Sequence, residues 1–396
     1  MRIRDYLSTL DTVDEAVEAI CHEAESDFTS APPHLGMLFQ SGHDAEDLQK
    51  AAYRLRARLG VQSMIGCTAE STIATGREVE RERSLAVWLA ELPGVTIEPF
   101  HLSLQQTGPA EAQLVGLPSG LAVPGHPSLV LLADPFSFPV DAFLKTLGER
   151  HPDLPVIGGM ASGAMAPGAS GLVVNGDYHS EGAVGVLLDG SIEIRTVVSQ
   201  GCRPFGRRHI VTQLEGNAIL TLGSRPAYEC LQEAFSELNE EDQQIFQTGP
   251  LLGQAMSELK DSFGRGDFLV RGILGADSKA GSLMVGDRLR RGQTVQFHVR
   301  DAGSASEDLS LLLQQEQGRL GDRRPVGGLL FTCNGRGTRL FNEESHDVGA
   351  VRKEMGQDMP LAGFFAAGEI GPVGGTNFVH GYTASLALLF EGKSTS

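Results

Sequence analysis

The sequence predicts an α/β (α+β) protein with mixed, largely antiparallel sheets, helices on one face of each, and helix–sheet–sheet–helix layering. Three observations carry this. A strand–helix–strand–strand unit recurs three times. In each unit the third strand follows the second through a loop, which favours antiparallel pairing over a doubly wound parallel sheet. No G-x-G-x-x-G opens a helix after a strand, and no GK[ST] follows a glycine loop.

The first helix follows Thr12 and Glu15, a capping box in which each side chain satisfies the other's backbone N–H. Val13, Ala16, Val17 and Ile20 repeat behind it at helical spacing. The first strand of each unit is an apolar run ending in small or polar residues: 35–42 (LGMLFQSG), 129–135 (LVLLADP) and 327–335 (GGLLFTCNG). Helices are expected after Asp44, with Gly60 as its stop, behind Pro139, and over 348–355. Each second strand breaks into glycines, at Gly66, Gly158 and Gly363, and a third apolar run closes the unit. Residues 173–175, 183–188 and 193–198, with DG between the last two, read as a meander. Residues 201–208 (GCRPFGRR) lack periodicity and mark a domain boundary. Beyond it come a helix over 226–238, an acidic turn at NEEDQQ, strands over 268–275, 283–285 and 294–299, and a helix over 309–317.

Composition limits the function. The chain has 396 residues, enough for two or three cores, with a formal net charge of −18. That charge argues against nucleic acid or an anionic membrane surface as main partner. No apolar run is long enough to span a bilayer, and the start does not read as a signal peptide, so a cytoplasmic protein is expected. Five scattered cysteines with no C-x-x-C spacing fit a reducing compartment and give neither a disulfide framework nor a zinc site.

The segments that carry chemistry lie at strand ends. GCTAES places Cys67 and Thr68 there, and Cys67 is either a nucleophile or a small packing residue. In TCNGRG, Asn334, Gly335 and Gly337 tolerate positive φ and expose N–H groups, and Arg336 is suited to a carboxylate or phosphate; an ordinary Asn-Gly turn is the alternative. Cys333 is open to the same two readings as Cys67. Gly158 and Gly159 allow close backbone approach, to a ligand or to the other domain. Glu369, among glycines, needs a partner: Arg336 or a ligand ammonium. Asn377 and His380 stand in NFVHGYT, where His380 is a ligand contact, an acid–base group, a haem ligand or a hydrogen-bonded structural residue. Asp177, His179 and Glu181 alternate, which in a strand puts them on one face suited to a metal, with a solvated hairpin as the alternative; no metal site is assigned.

The order GCT, GG-x-A-x-G, F-x-C-x-GRG, GFF-x-x-GEIGP and N-x-x-HGYT resembles the FIST proteins, from about residue 35 to the C-terminus. The resemblance implies paired N- and C-terminal domains that act as sensory modules for small, amino-acid-like ligands, and no established catalytic residues. Some bacterial members bind haem, and others carry an output domain that is not recognisable here. The expected division is 1–33 as a helical lead-in, 34–215 and 216–375 as the paired domains, and 376–396 as closing strand and tail.

Three functional classes follow. The first is a stand-alone sensory protein holding a small anionic or zwitterionic metabolite in an interdomain cleft, with Cys67, Thr68, Gly158, Gly159, Cys333, Asn334, Arg336, Gly337, Glu369, Asn377 and His380 as candidate ligand contacts and a separate signalling protein as possible partner. The second is an enzyme with Cys67 or Cys333 as nucleophile and His380 as base. The third is a haem-based gas sensor. The first calls for no cofactor.

Overall fold

The computed structural model describes every residue except 109–110, 124, 260–262, 264–265 and 393–396. The chain forms two compact units, one from Met1–Val198 with Ser310–Ser396 and the other from Ser199–Leu309. Its elements are those of a mixed α/β protein.

All three repeats fold into the first unit. In each, the first and second strands are parallel and the third lies antiparallel on the first: Leu35–Ser41 with Ser63–Thr68 and Ser84–Glu91, Ser128–Ala133 with Val156–Met160 and Ala183–Gly190, Gly327–Cys333 with Leu361–Ala366 and Ala384–Glu391. The repetition reaches single residues. Leu38 faces Gly66, Leu131 faces Gly158 and Leu330 faces Gly363 across the parallel pair. A Cβ on those glycines would stand 2.4, 1.9 and 1.7 Å from the facing leucine's carbonyl oxygen. The glycine breaks therefore serve strand-to-strand approach.

After its second strand each repeat sends a hairpin to another repeat's sheet. Ser71–Ala74 pairs with Leu361–Ala366, Leu172–Val174 with Ser63–Thr68, and Glu369–Val373 with Val156–Met160. The exchange is cyclic, and three sheets result where the layered expectation had two. The inner faces of all three share one core: Phe39 and Trp88 come from the first sheet, Val130 and Val186 from the second, Phe331 and Phe364 from the third. The rings of Phe39, Phe331 and Phe364 lie 5.2–6.4 Å apart in angled pairs, the favoured aromatic geometry.

Helices cover outer faces. Val13–Asp27 and Ala45–Leu59 pack on Leu38, Met64 and Val87, while Val140–Arg150 packs on Leu129 and Leu131. Period-two alternation thus sends Phe39 inward and Leu38 outward along one strand.

Three expectations are corrected. The supposed meander is none: Leu172–Val174, Ala183–Gly190 and Ile192–Ser199 join three different sheets. Ala183–Gly190 already has a strand on either side, so the chain leaves its sheet after the DG turn. The lead-in contains an edge strand, Arg2–Ser8, before its helix. NEEDQQ opens a helix, Glu240–Thr248, because Asn239 caps the Asp242 N–H and three acidic residues fill the first turn, where the helix dipole favours them.

The second unit is a seven-stranded antiparallel sheet in which Arg203–Glu215 also pairs with Ala218–Leu222, closing the sheet around Phe205, Leu252, Val295 and Phe297.

Candidate functional site

The three chain breaks after the second strands meet within the first unit. The Thr68 carbonyl accepts from the Ser162 and Gly163 N–H groups, the Ser162 hydroxyl donates to the Phe365 carbonyl, and the Ala367 N–H donates to the Met160 carbonyl. Thr68 also exchanges two bonds with Gly171, N–H to carbonyl and N–H to Oγ1, each 2.9 Å. Peptide groups here bind one another.

Cys67 lies in the shared core at 0% exposure. Burial pushes its thiol well up, which removes the thiolate a nucleophile needs. Gly159 packs its bare Cα on the neighbouring strand; an added Cβ would come within 2.9 Å of Ala366 Cβ. Asn377 is a clamp between strands: its Oδ1 accepts from Val156 N–H at 3.0 Å and its Nδ2 donates to the Leu154 carbonyl at 2.8 Å. His380 is 2% exposed, with Nε2 2.9 Å from the Gly371 carbonyl. A buried ring with Nε2 so engaged does not fit an axial haem ligand.

The residues that remain surround Arg336. The Asn334 N–H donates to the Ala366 carbonyl at 3.1 Å, and the Arg336 N–H to the Cys333 carbonyl at 2.8 Å, folding the loop into a tight turn. The Gly335 N–H points at Cys333 Sγ, 3.4 Å away. Cys333 is half-buried, whereas the other four cysteines are buried. Gly337 has φ +61°, and its missing side chain admits the Glu80 carboxylate, which accepts from Thr338 N–H and Oγ1 at 2.8 and 2.6 Å.

Arg336 is wholly buried. Its Nε and Nη2 grip Asp347 Oδ2 and Oδ1 at 2.7 and 2.8 Å, the bidentate geometry in which guanidinium and carboxylate pair best. Asp347 also accepts from the Thr332 hydroxyl at 2.7 Å and lies 3.0 Å from His346 Nδ1. The His346 ring stacks on Phe341 at 3.5 Å, and Phe341 lies 5.0 Å from the guanidinium carbon. Burial alone would raise the Asp347 pKa; the Arg336 charge and bonds overcome it and hold the carboxyl well below its ordinary value.

Asp347 accordingly occupies the position that a ligand carboxylate was expected to take. One guanidinium nitrogen is left over: Arg336 Nη1 is buried and has no acceptor among the described residues. The Asn334 Oδ1 is likewise buried without a donor. Glu369 holds Thr383 through Oε2, 3.0 Å from N–H and 2.7 Å from Oγ1, and its charge also acts on Arg336.

Glu78 completes the enclosure. It is 8% exposed, its Oε1 accepts from the Val348 N–H at 2.9 Å, and its Oε2 has no donor among the described residues. Burial, then the charge of Asp347, pushes its carboxyl up to about 8. Glu78 and Glu80, from the hairpin lent by the first repeat, and Glu70 just before it fasten the 338–348 segment, Glu70 through an ion pair with Arg339 at 2.6 Å. Sequence reasoning missed Glu78, Glu80, His346 and Asp347. The one available signal was Asp347 opening a helix just downstream of a buried-type Arg turn.

Asp177 and His179 sit on a hairpin strand, where the His179 ring stacks on His101 at 3.6 Å. Among the described residues no group of three His, Cys, Asp or Glu side chains is placed to hold a metal, and no helix is long and apolar enough to cross a membrane.

Comparison with known proteins identifies two domain families, divided at a different point from the two compact units. Residues 34–225 match the FIST N domain and residues 227–372 the FIST C domain. The chain is 38% identical over 398 aligned residues to the uncharacterized protein Rv0628c of Mycobacterium tuberculosis, covering 99% of this chain and 100% of that protein. It is 36% identical over 391 residues to the uncharacterized protein Mb0898c of Mycobacterium bovis, covering 97% of each. With both domain models matched in tandem and relatives aligned end to end, the chain belongs to the FIST family.

Proposed function

We infer that the protein is a sensory protein for a small polar metabolite, and that the ligand binds at Arg336. The observation that carries this is the leftover Nη1. A buried guanidinium N–H with no acceptor costs free energy, about 1–3 kcal/mol, and its retention calls for an explanation. A ligand carboxylate accepting from Nη1, with its ammonium toward Glu369, supplies one. A molecule that offers both groups is amino-acid-like. Free cysteines support a cytosolic setting, and a separate signalling protein is the corresponding partner.

Cys333, half-buried beside Arg336, is a built-in reporter. Amino acids and small carboxylates should be screened for thermal stabilisation and for protection of Cys333 against alkylation. A true ligand does both, and both effects vanish in Arg336→Lys, which keeps the charge facing Asp347 but loses the Nη1 donor. Glu369→Gln separates the ammonium arm: it weakens amino acids and spares simple carboxylates. If no compound in the screen protects Cys333, or protection survives in Arg336→Lys, the assignment fails.

A further inference from the structure

A cavity of about 750 Å³ opens elsewhere in the first unit. That volume falls in the range of about 300–1,000 Å³ typical of small-molecule sites. Its floor is Phe138 with the helix Val140–Arg150, and its roof is the far part of the hairpin of Val95–Gly108 and Glu111–Val115 with the short turn Ser119–Ala122. Phe138, Phe143 and Leu147 are buried in the floor, while Leu104 and Leu117 on the roof stay 41% and 43% exposed. Apolar surface left wet around a concave site is surface that an apolar ligand would cover.

The charges in the lining are one-sided. The chain has 50 acidic and 32 basic residues, yet no carboxylate lines the cavity among the described residues. The ionisable groups in it are Arg150 and His151, adjacent at the end of the helix. The carbonyls there are engaged, Leu147 by the His151 N–H at 2.7 Å and His151 by the Leu154 N–H at 3.2 Å, so their partial negative charge is answered within the chain. Arg150 makes no ion pair among the described residues and is exposed. Glu149 and Asp153 are near in sequence and outside the lining.

We propose that this cavity is a binding site for a small amphiphilic monocarboxylate, its apolar body between the hairpin and the helix and its carboxylate on Arg150, with His151 beside it. The apolar walls supply affinity, and the guanidinium sets orientation and excludes uncharged amphiphiles of the same length. The site shares no residue with the one at Arg336, and its occupancy stands or falls separately.

Full-length protein is titrated with decanoate below its micellar concentration, by calorimetry and by displacement of anilinonaphthalene sulfonate. Decanol tests the anion and acetate the apolar body. Saturable one-to-one binding of decanoate, stronger than that of decanol or acetate, is expected. Arg150→Glu, a change on an exposed side chain, should weaken it about tenfold or more, the scale of one charge-assisted hydrogen bond. Ala142→Trp, filling the cavity from its exposed helix face, should abolish it at unchanged melting temperature, and Arg336→Lys should leave it intact. Equal binding of decanoate and decanol, insensitivity to either cavity variant, or no saturable binding would overturn the proposal.

Discussion

Arg336 and Asp347 form a two-pronged ion pair with both side chains out of water, 0% and 1% exposed. Buried pairs of this kind gain from each other about what they lose in hydration, so the pair is a poor source of net stability. Breaking it is another matter. Asp347→Asn leaves an uncompensated guanidinium in the interior and should cost about 3–5 kcal/mol. Urea unfolding of the single variant and of Arg336→Met/Asp347→Leu tests this. The double variant should be the more stable of the two, and a single variant within about 1 kcal/mol of wild type would show that water reaches the pair.

Glu78 gives a pH signature of the opposite sense to an ordinary surface acid. Its folded pKa, pushed up to about 8, exceeds its unfolded value of 4.5. The folded state therefore binds the extra proton. The contribution is complete below pH 4.5 and is lost as pH rises toward 8, at up to about 1.4 kcal/mol per pH unit. Glu78→Gln imitates the protonated side chain. It should match wild type in acid, exceed it at pH 9, and flatten the profile between; a profile unchanged by the substitution would count against the shift.

His298, in the second unit, works the other way. Burial pushes its pKa down to about 4, and it is 3% exposed. The unfolded chain takes up a proton below pH 6.5 while the folded one stays neutral, so stability present above pH 6.5 falls as pH drops toward 4. The slope is up to about 1.4 kcal/mol per pH unit. Thermal melts of His298→Gln between pH 4 and 7 should lack this component.

Glycines separate into two classes by what an added methyl meets. At Gly363 it would lie 1.7 Å from the Leu330 carbonyl oxygen, which the sheet holds in place. Gly363→Ala should fail to give folded protein. At Gly148, inside the helix Val140–Arg150, it meets nothing within 4 Å. Gly148→Ala should stabilise by about 0.5–1 kcal/mol through helix propensity and lost unfolded-state freedom. Circular dichroism and melting temperature decide both.

Much of this was legible in the residues. The three repeats and the glycine at each second strand follow from apolar periodicity and local breaks, whereas the third strand, expected to pair with the second across their loop, lies on the first. What periodicity does not carry is the identity of the sheet a strand joins. Val173 stands in a wholly apolar run and Ile194 between Glu193 and Arg195, both ordinary strand patterns, and only the folded topology places them in separate sheets. Pairing of charges is equally hidden. Arg336 faces any of 50 acidic residues in the sequence, and Asp347 wins because the helix it opens returns to the strand end. Asn377, read as a ligand contact, spends its amide on two backbone groups of another repeat, a demand visible only once the strands lie side by side.

The lending of hairpins around the ring leaves no repeat self-sufficient. Severed between residues 225 and 227, where the two family models part, the chain would yield one piece whose Ser71–Ala74 arm has lost its dock and another whose Glu369–Val373 arm has none. Each fragment would expose raw β-edges, prone to aggregation in isolation. Made together, the halves have every reason to find each other, so this protein is suited to splitting and reassembly and unsuited to dissection.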